Sequence, residues 1–176
     1  MKSKISWPIA VGLMLALAAP IHAASESATH GVSIEVPPSL AIETSQSEIR
    51  LAFEENAAGA QTNETTVHYQ VRSNGMSQAD GATAVTAQLD DSLEGMEFQA
   101  MAGSFSRTGG NTELTPINAG YANISASTTP LMAKNNSTGD GRLLAGSFPV
   151  TYKAVALQAM ASGTHTRQLV LTLTDT

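Results

Sequence analysis

Alternation with a period of two is the feature that most constrains what this chain can fold into. Ile49, Leu51 and Phe53 alternate with polar residues in EIRLAFEE, as do Val67, Tyr69 and Val71 in TVHYQVRS and Val85, Ala87 and Leu89 in TAVTAQLD. GSFPVTYKAVAL places Phe148, Val150, Tyr152, Ala154 and Ala156 on one face, and TRQLVLTLTD groups Leu169, Leu171 and Leu173. GMEFQAM, GYANISAS and TPLMAK are shorter candidates. Successive side chains of a strand point to opposite faces, so this pattern with Val, Thr and Tyr enrichment predicts half-buried strands. No stretch keeps helical spacing, beyond a possible single turn from Asp90 to Gly95. Turn-forming residues separate the runs: Ser73 to Gly75, Arg107 to Asn111, Asn135 to Gly141 and Ala161 to His165. About eight to ten short strands punctuated this way predict an all-β, antiparallel β-sandwich.

The first residues read differently. Lys2 and Lys4 precede an apolar run from Ile9 to Ala19, which Pro20 ends. The run is shorter than the roughly 20 residues that span a bilayer, so residues 1–23 read as a secretory signal peptide with its cut near Ala23 or Ala24. No later run is long and apolar enough to span, so no membrane span is expected once the signal is removed. The chain has 176 residues, no cysteine and a formal charge of −6. Without Lys2 and Lys4, seven basic residues face fifteen acidic ones, and 7 − 15 gives −8. That charge argues against nucleic acid and anionic lipid as partners. An exported domain without cysteine holds together by packing or by partners, not by disulfides. Aromatic residues make up only 5% of the chain and alanine fills many apolar positions, so the core is small and one further packed strand would add much to it.

Motifs that carry chemistry are missing from the sequence. His22, His30, His68 and His165 are scattered, with no His-x-x-x-His spacing. There is no G-x-S-x-G elbow, S-x-x-K, phosphate loop or H-E-x-x-H. Asp90 and Asp91 are adjacent and would point to opposite faces of a strand, and STGDGR lacks the further carboxylates a calcium loop needs. Asn63, Asn123, Asn135 and Asn136 lie in N-x-S/T triplets that Ser/Thr-rich chains contain by chance. We therefore expect no enzyme activity, no metal site and no cofactor.

The segment after the signal carries more information. In HGVSIEVPP, Val32, Ile34 and Val36 share one face of an extended chain, and Ser33 and Glu35 share the other. Pro37 donates no backbone hydrogen bond, so pairing stops there. Such a segment is either the first strand of its own sandwich or a strand lent to another molecule.

The order of motifs resembles the cysteine-less, alpha-class chaperone–usher pilins, the colonisation-factor type of fimbrial subunit. The resemblance rests on Val32-x-Ile34-x-Val36, then Pro37-Pro38, Leu40-Ala41-Ile42, IRLAF from Ile49 to Phe53, VHYQVRSNG from Val67 to Gly75, and SGTHTRQLVLTLTDT at the end. It covers both ends and the second quarter of the chain; residues 90–140 match only in being strand-like and loop-rich. His30 stands where the family often carries an apolar side chain.

The resemblance implies an immunoglobulin-like sandwich lacking its last strand, over residues 37–176, with residues 24–36 as an N-terminal donor-strand extension. Ala28, His30, Val32, Ile34 and Val36 would fill a neighbour's groove, and Pro37 and Pro38 would form the hinge. Leu169, Leu171 and Leu173 would line the acceptor groove. The implied partners are neighbouring pilus subunits, a periplasmic chaperone and an outer-membrane usher. The implied location is the periplasm in transit, then a cell-surface fimbrium that contributes to adhesion. The alternative is a self-contained periplasmic or secreted sandwich that binds a glycan or a protein.

Overall fold

The computed structural model describes residues 31–76, 80–136 and 142–175. The signal peptide, Ala28, His30 and most of the Asn135–Gly141 turn lie outside these residues. The chain divides into two units, Met1–Glu35 and Val36–Thr176. In the first unit, residues 31–35 are exposed and belong to no strand.

The second unit is all-β among the described residues. Its strands are β1 (Leu40–Thr44), β2 (Thr65–Ser73), β3 (Thr83–Leu89), β4 (Met96–Ala102), β5 (Ser106–Gly110), β6 (Thr112–Pro116), β7 (Ala122–Ile124), β8 (Thr129–Asn136), β9 (Leu144–Ala156) and β10 (Leu169–Leu173). They form two antiparallel sheets. One runs β1-β2-β9-β4-β7, with β5 also paired to β9; the other runs β10-β3-β8-β6. The expected β-sandwich is the architecture observed.

β9 organises the first sheet. Its 13 residues alternate buried and half-buried without a break. One edge pairs with β2 from Leu144 to Tyr152; the other pairs with β5 at Leu144–Ser147 and with β4 at Val150–Ala156. Gly146 is needed on this strand because a Cβ there would run into the Phe105 ring and the Ser106 carbonyl. In β2, Val67, Tyr69 and Val71 face inward while His68, Gln70 and Arg72 face out. β3 breaks strict alternation: Ala84 and Val85 are both buried, where the pairing with β8 shifts register.

Three sequence expectations change. Arg107–Asn111, read as a turn, is strand β5 through Gly110. The chain then crosses to the other sheet at Asn111, where Asn111 and Thr112 both donate to the Leu143 carbonyl (2.8 and 2.9 Å). Gly110 has φ +78°, a conformation glycine adopts without strain, and a Cβ would collide with that same Leu143 carbonyl. Ile49, Leu51 and Phe53 keep their alternation but form no ladder strand; apart from a single bridge between Phe53 and Thr62, this segment has no strand partner. Asp90 to Gly95 forms a turn and bends rather than a helix.

At the centre of the core, the hydroxyls of Tyr69 and Tyr152 lie 2.9 Å apart and bond to each other. Tyr152 stacks on Phe98 and Tyr69 on Phe148, with ring centroids 5.5 and 5.8 Å apart. Burial pushes the pKa of both phenols above the usual tyrosine range; for Tyr152, the neighbouring Tyr69 pushes it further. Above about pH 10 the unfolded chain releases protons that the folded chain keeps, so stability falls as pH rises, by up to about 1.4 kcal/mol per pH unit for each tyrosine. We expect urea midpoints to drop between pH 10 and 11.5, and a Tyr69→Phe/Tyr152→Phe double variant to flatten that drop. Tyr69→Phe alone strands a buried hydroxyl and should cost about 1–3 kcal/mol at neutral pH in the same assay.

Candidate functional site: a cleft between two sheet edges

β1 and β10 each have one bonded edge, to β2 and to β3. Between them lies a cleft of about 1730 Å³. One wall is the end of β1 followed by residues 45–56, presenting Ile42, Ile49, Leu51 and Phe53. The other is residues 160–168 followed by β10, presenting Leu169 and Leu171. Tyr69, Leu89, Phe98 and Ala154 make the floor. The alternation of Ile49, Leu51 and Phe53 is therefore explained without a ladder: their side chains are half-buried along the cleft.

Side chains hold the walls where backbone pairing is missing. Asn56 donates from Nδ2 to the Met160 carbonyl (2.6 Å) and accepts from the Met160 amide at Oδ1 (2.7 Å), so one amide joins the two walls. Asn63 accepts from the Ala52 amide (2.8 Å), and the Thr65 hydroxyl donates to the Arg50 carbonyl (3.2 Å), which ties the first wall to the start of β2. Asp90 accepts from the Gln168 amide (3.0 Å), and its own amide donates to the Gln168 carbonyl (2.9 Å), which fixes the second wall. Arg167 Nε adds a bond to the Ser92 carbonyl (3.1 Å). Asp90, noted in the sequence only as one of two adjacent aspartates, is a strut of the cleft.

The structure places the sequence-predicted residues as follows. Val32, Ile34 and Val36 are 81%, 81% and 71% exposed. Pro37 and Pro38 are exposed and lead into β1. Leu169 and Leu171 are half-buried and face the cleft; Leu173 is buried in the core. Asn56, Asn63 and Asn74 were not singled out as structural ties by sequence reasoning. Asn63 appeared only as part of an N-x-T triplet and Asn74 only as a turn residue. An amide at the end of an alternating run was the available signal.

Chemically capable side chains do not converge. Among the described residues, no three His, Asp or Glu side chains gather as a metal site would require. His68 and His165 are both exposed. Lys134 is buried on β8 across from Leu114, and its Nζ has no hydrogen-bond partner among the described residues. The Lys153 ammonium sits 4.1 Å above the Tyr121 ring and donates to Gln61 (3.0 Å). Burial, and after it the Glu64 carboxylate, push the Tyr121 pKa up to about 12. No helix among the described residues is long and apolar enough to cross a membrane.

No family model matches the chain, and no curated protein or solved structure matches it either.

Asn56→Ala removes both bonds to Met160. We expect a loss of about 1–2 kcal/mol in urea unfolding, with faster hydrogen exchange confined to residues 157–168 and no change at the β2–β9 ladder.

Proposed function

We propose that this chain is a structural fibre subunit of the chaperone–usher type, an immunoglobulin-like sandwich lacking its last strand and assembled by donor-strand exchange. One observation carries the reading: the same chain holds an exposed segment with apolar residues at every second position and a cleft that presents Ile42, Ile49, Leu51, Phe53, Leu169 and Leu171 between polar rims, beside two strands that each have one bonded edge among the described residues. A strand added there takes main-chain bonds from the edges and places alternate side chains in the cleft. The cleft's size also favours an extended segment, since small-molecule pockets run to roughly 300–1,000 Å³.

In this reading, residues 28–36 of one subunit enter the cleft of the next. Val32, Ile34 and Val36 turn toward Leu169, Leu171 and the opposite wall, while Ser33 and Glu35 face solvent. Burying the three aliphatic side chains contributes about 5–9 kcal/mol before ordering costs. Pro37 ends the pairing. The contact is head-to-tail and does not close on itself, so repetition gives a filament. A periplasmic chaperone would occupy the cleft before assembly, an outer-membrane usher would carry the exchange, and the fibre would stand at the cell surface and contribute to adhesion.

The test uses two variants of the full chain. Ile34→Asp damages the lent strand and leaves the cleft; Leu171→Asp damages the cleft and leaves the strand. We expect each alone to remain monomeric by analytical ultracentrifugation. Mixed, they should stop at a heterodimer, because only one of the two possible contacts is intact. Filament growth by Ile34→Asp alone rejects the reading.

A further inference from the structure

From the geometry of one side chain we infer that Asn74 is a positioning residue that straightens the Pro37–Ser39 hinge and reserves the N-terminal arm for another copy of the chain. This rests on the strand-exchange reading above and adds to it how self-capping is avoided.

The β1–β2 ladder ends at Leu40 opposite Ser73, so Ser39 and Asn74 are the next pair along. The Asn74 amide continues the ladder by donating to the Ser39 carbonyl (3.1 Å). Its side chain then makes two further bonds. Oδ1 accepts from the Ser39 amide (2.6 Å), and Nδ2 donates to the Pro37 carbonyl (2.8 Å). Residues 37–39 are thus gripped at three backbone atoms, and Ser39 extends the line of β1 by one residue.

That line matters because of where the cleft lies. β10 runs toward Asp175, whose carboxylate packs beside Gly75. β1 therefore starts at the end of the cleft where β10 finishes. An arm that filled its own cleft would have to reverse direction across Pro37, Pro38 and Ser39 and run back beside β1. A reversal in so few residues needs a tight turn. Pro38 disfavours helical-region angles at Pro37, and Pro37 disfavours them at Val36, which leaves Pro38–Ser39, a pair that proline does fit as a turn centre, as the place to reverse; there it is Asn74 that holds Ser39 in line. The same reversal would also pull the Pro37 carbonyl and the Ser39 amide from Asn74. The prolines stiffen the segment, and Asn74 aligns it.

The experiment compares wild type, Asn74→Ala and the hinge variant Pro37→Gly/Pro38→Gly as full chains. Each is refolded at high dilution, and two readouts are taken: hydrogen exchange of amides 32–36 in the monomer, and the rate of assembly on concentration. In the wild-type monomer the arm amides should exchange freely. In Asn74→Ala they should be protected by about tenfold or more, independently of concentration, and assembly should slow by a similar factor. The hinge variant keeps every Asn74 contact to a carbonyl or amide available while relaxing the rod, so it should shift the same way. It also serves if Asn74→Ala fails to fold. Free exchange of the arm in the folded variants, with assembly at the wild-type rate, overturns the inference. Ile34→Asp in the same assay separates the two levels. If it assembles normally, strand exchange itself is wrong. If it blocks assembly while Asn74→Ala behaves as wild type, only the role of Asn74 is wrong.

Discussion

Backbone N–H and C=O groups at the margin of a sheet must be paired, covered or hydrated, and the rest of this structure is arranged around where that requirement is left open. β9 meets it fully, bonded to β2 on one side and to β4 and β5 on the other. The outer margins are blunted. β7 is only three residues long, and β6 carries Pro116. β10 has neither device: LVLTL contains no charge and no proline, and its outer side borders the cleft. An edge of this kind invites a strand, which is the physical basis of the assembly proposed for the chain.

Polar side chains stand in for the missing ladder. Asn56, Asn74 and Asp90 each bond to the backbone of a segment distant in sequence, and Asn63 bonds to Ala52 in the segment just before it. Hydrogen bonds of this kind are modest individually, about 1 kcal/mol each. Their value here is directional: they fix the two walls of the cleft and the Pro37–Ser39 segment. The surface ion pairs contribute far less to that geometry. Arg50–Glu48 and Arg72–Glu43 are both well exposed, and exposed pairs of this kind add little to stability.

Much of the sandwich was legible in the sequence. The alternation in TVHYQVRS, TAVTAQLD and FPVTYKAVA corresponds to β2, β3 and β9, because a strand with one buried face must repeat every second residue. The same reasoning failed at Arg107–Gly110. Two adjacent glycines read as a turn, yet both lie in β5, paired with Ala145 and Leu144 of β9 just before the chain switches sheets. It also misjudged Ile49–Phe53, whose alternation reflects a half-buried wall and not a ladder. Local pattern reports which face is apolar; it does not report whether a partner strand supplies hydrogen bonds on either side.

By itself, the sequence determined an all-β chain with an apolar-faced segment halted at Pro37, because side-chain periodicity and proline's missing N–H are properties of consecutive residues. It also placed Leu169, Leu171 and Leu173 on one strand. Only the tertiary structure decided that Leu169 and Leu171 face a cleft while Leu173 enters the core, that Asn56 joins two walls through Met160, and that Asn74 holds the Pro37 carbonyl and the Ser39 amide. The last two depend on contacts between residues 37 and 104 positions apart. Such contacts exist only once the two sheets have packed and their edges have been left where they lie.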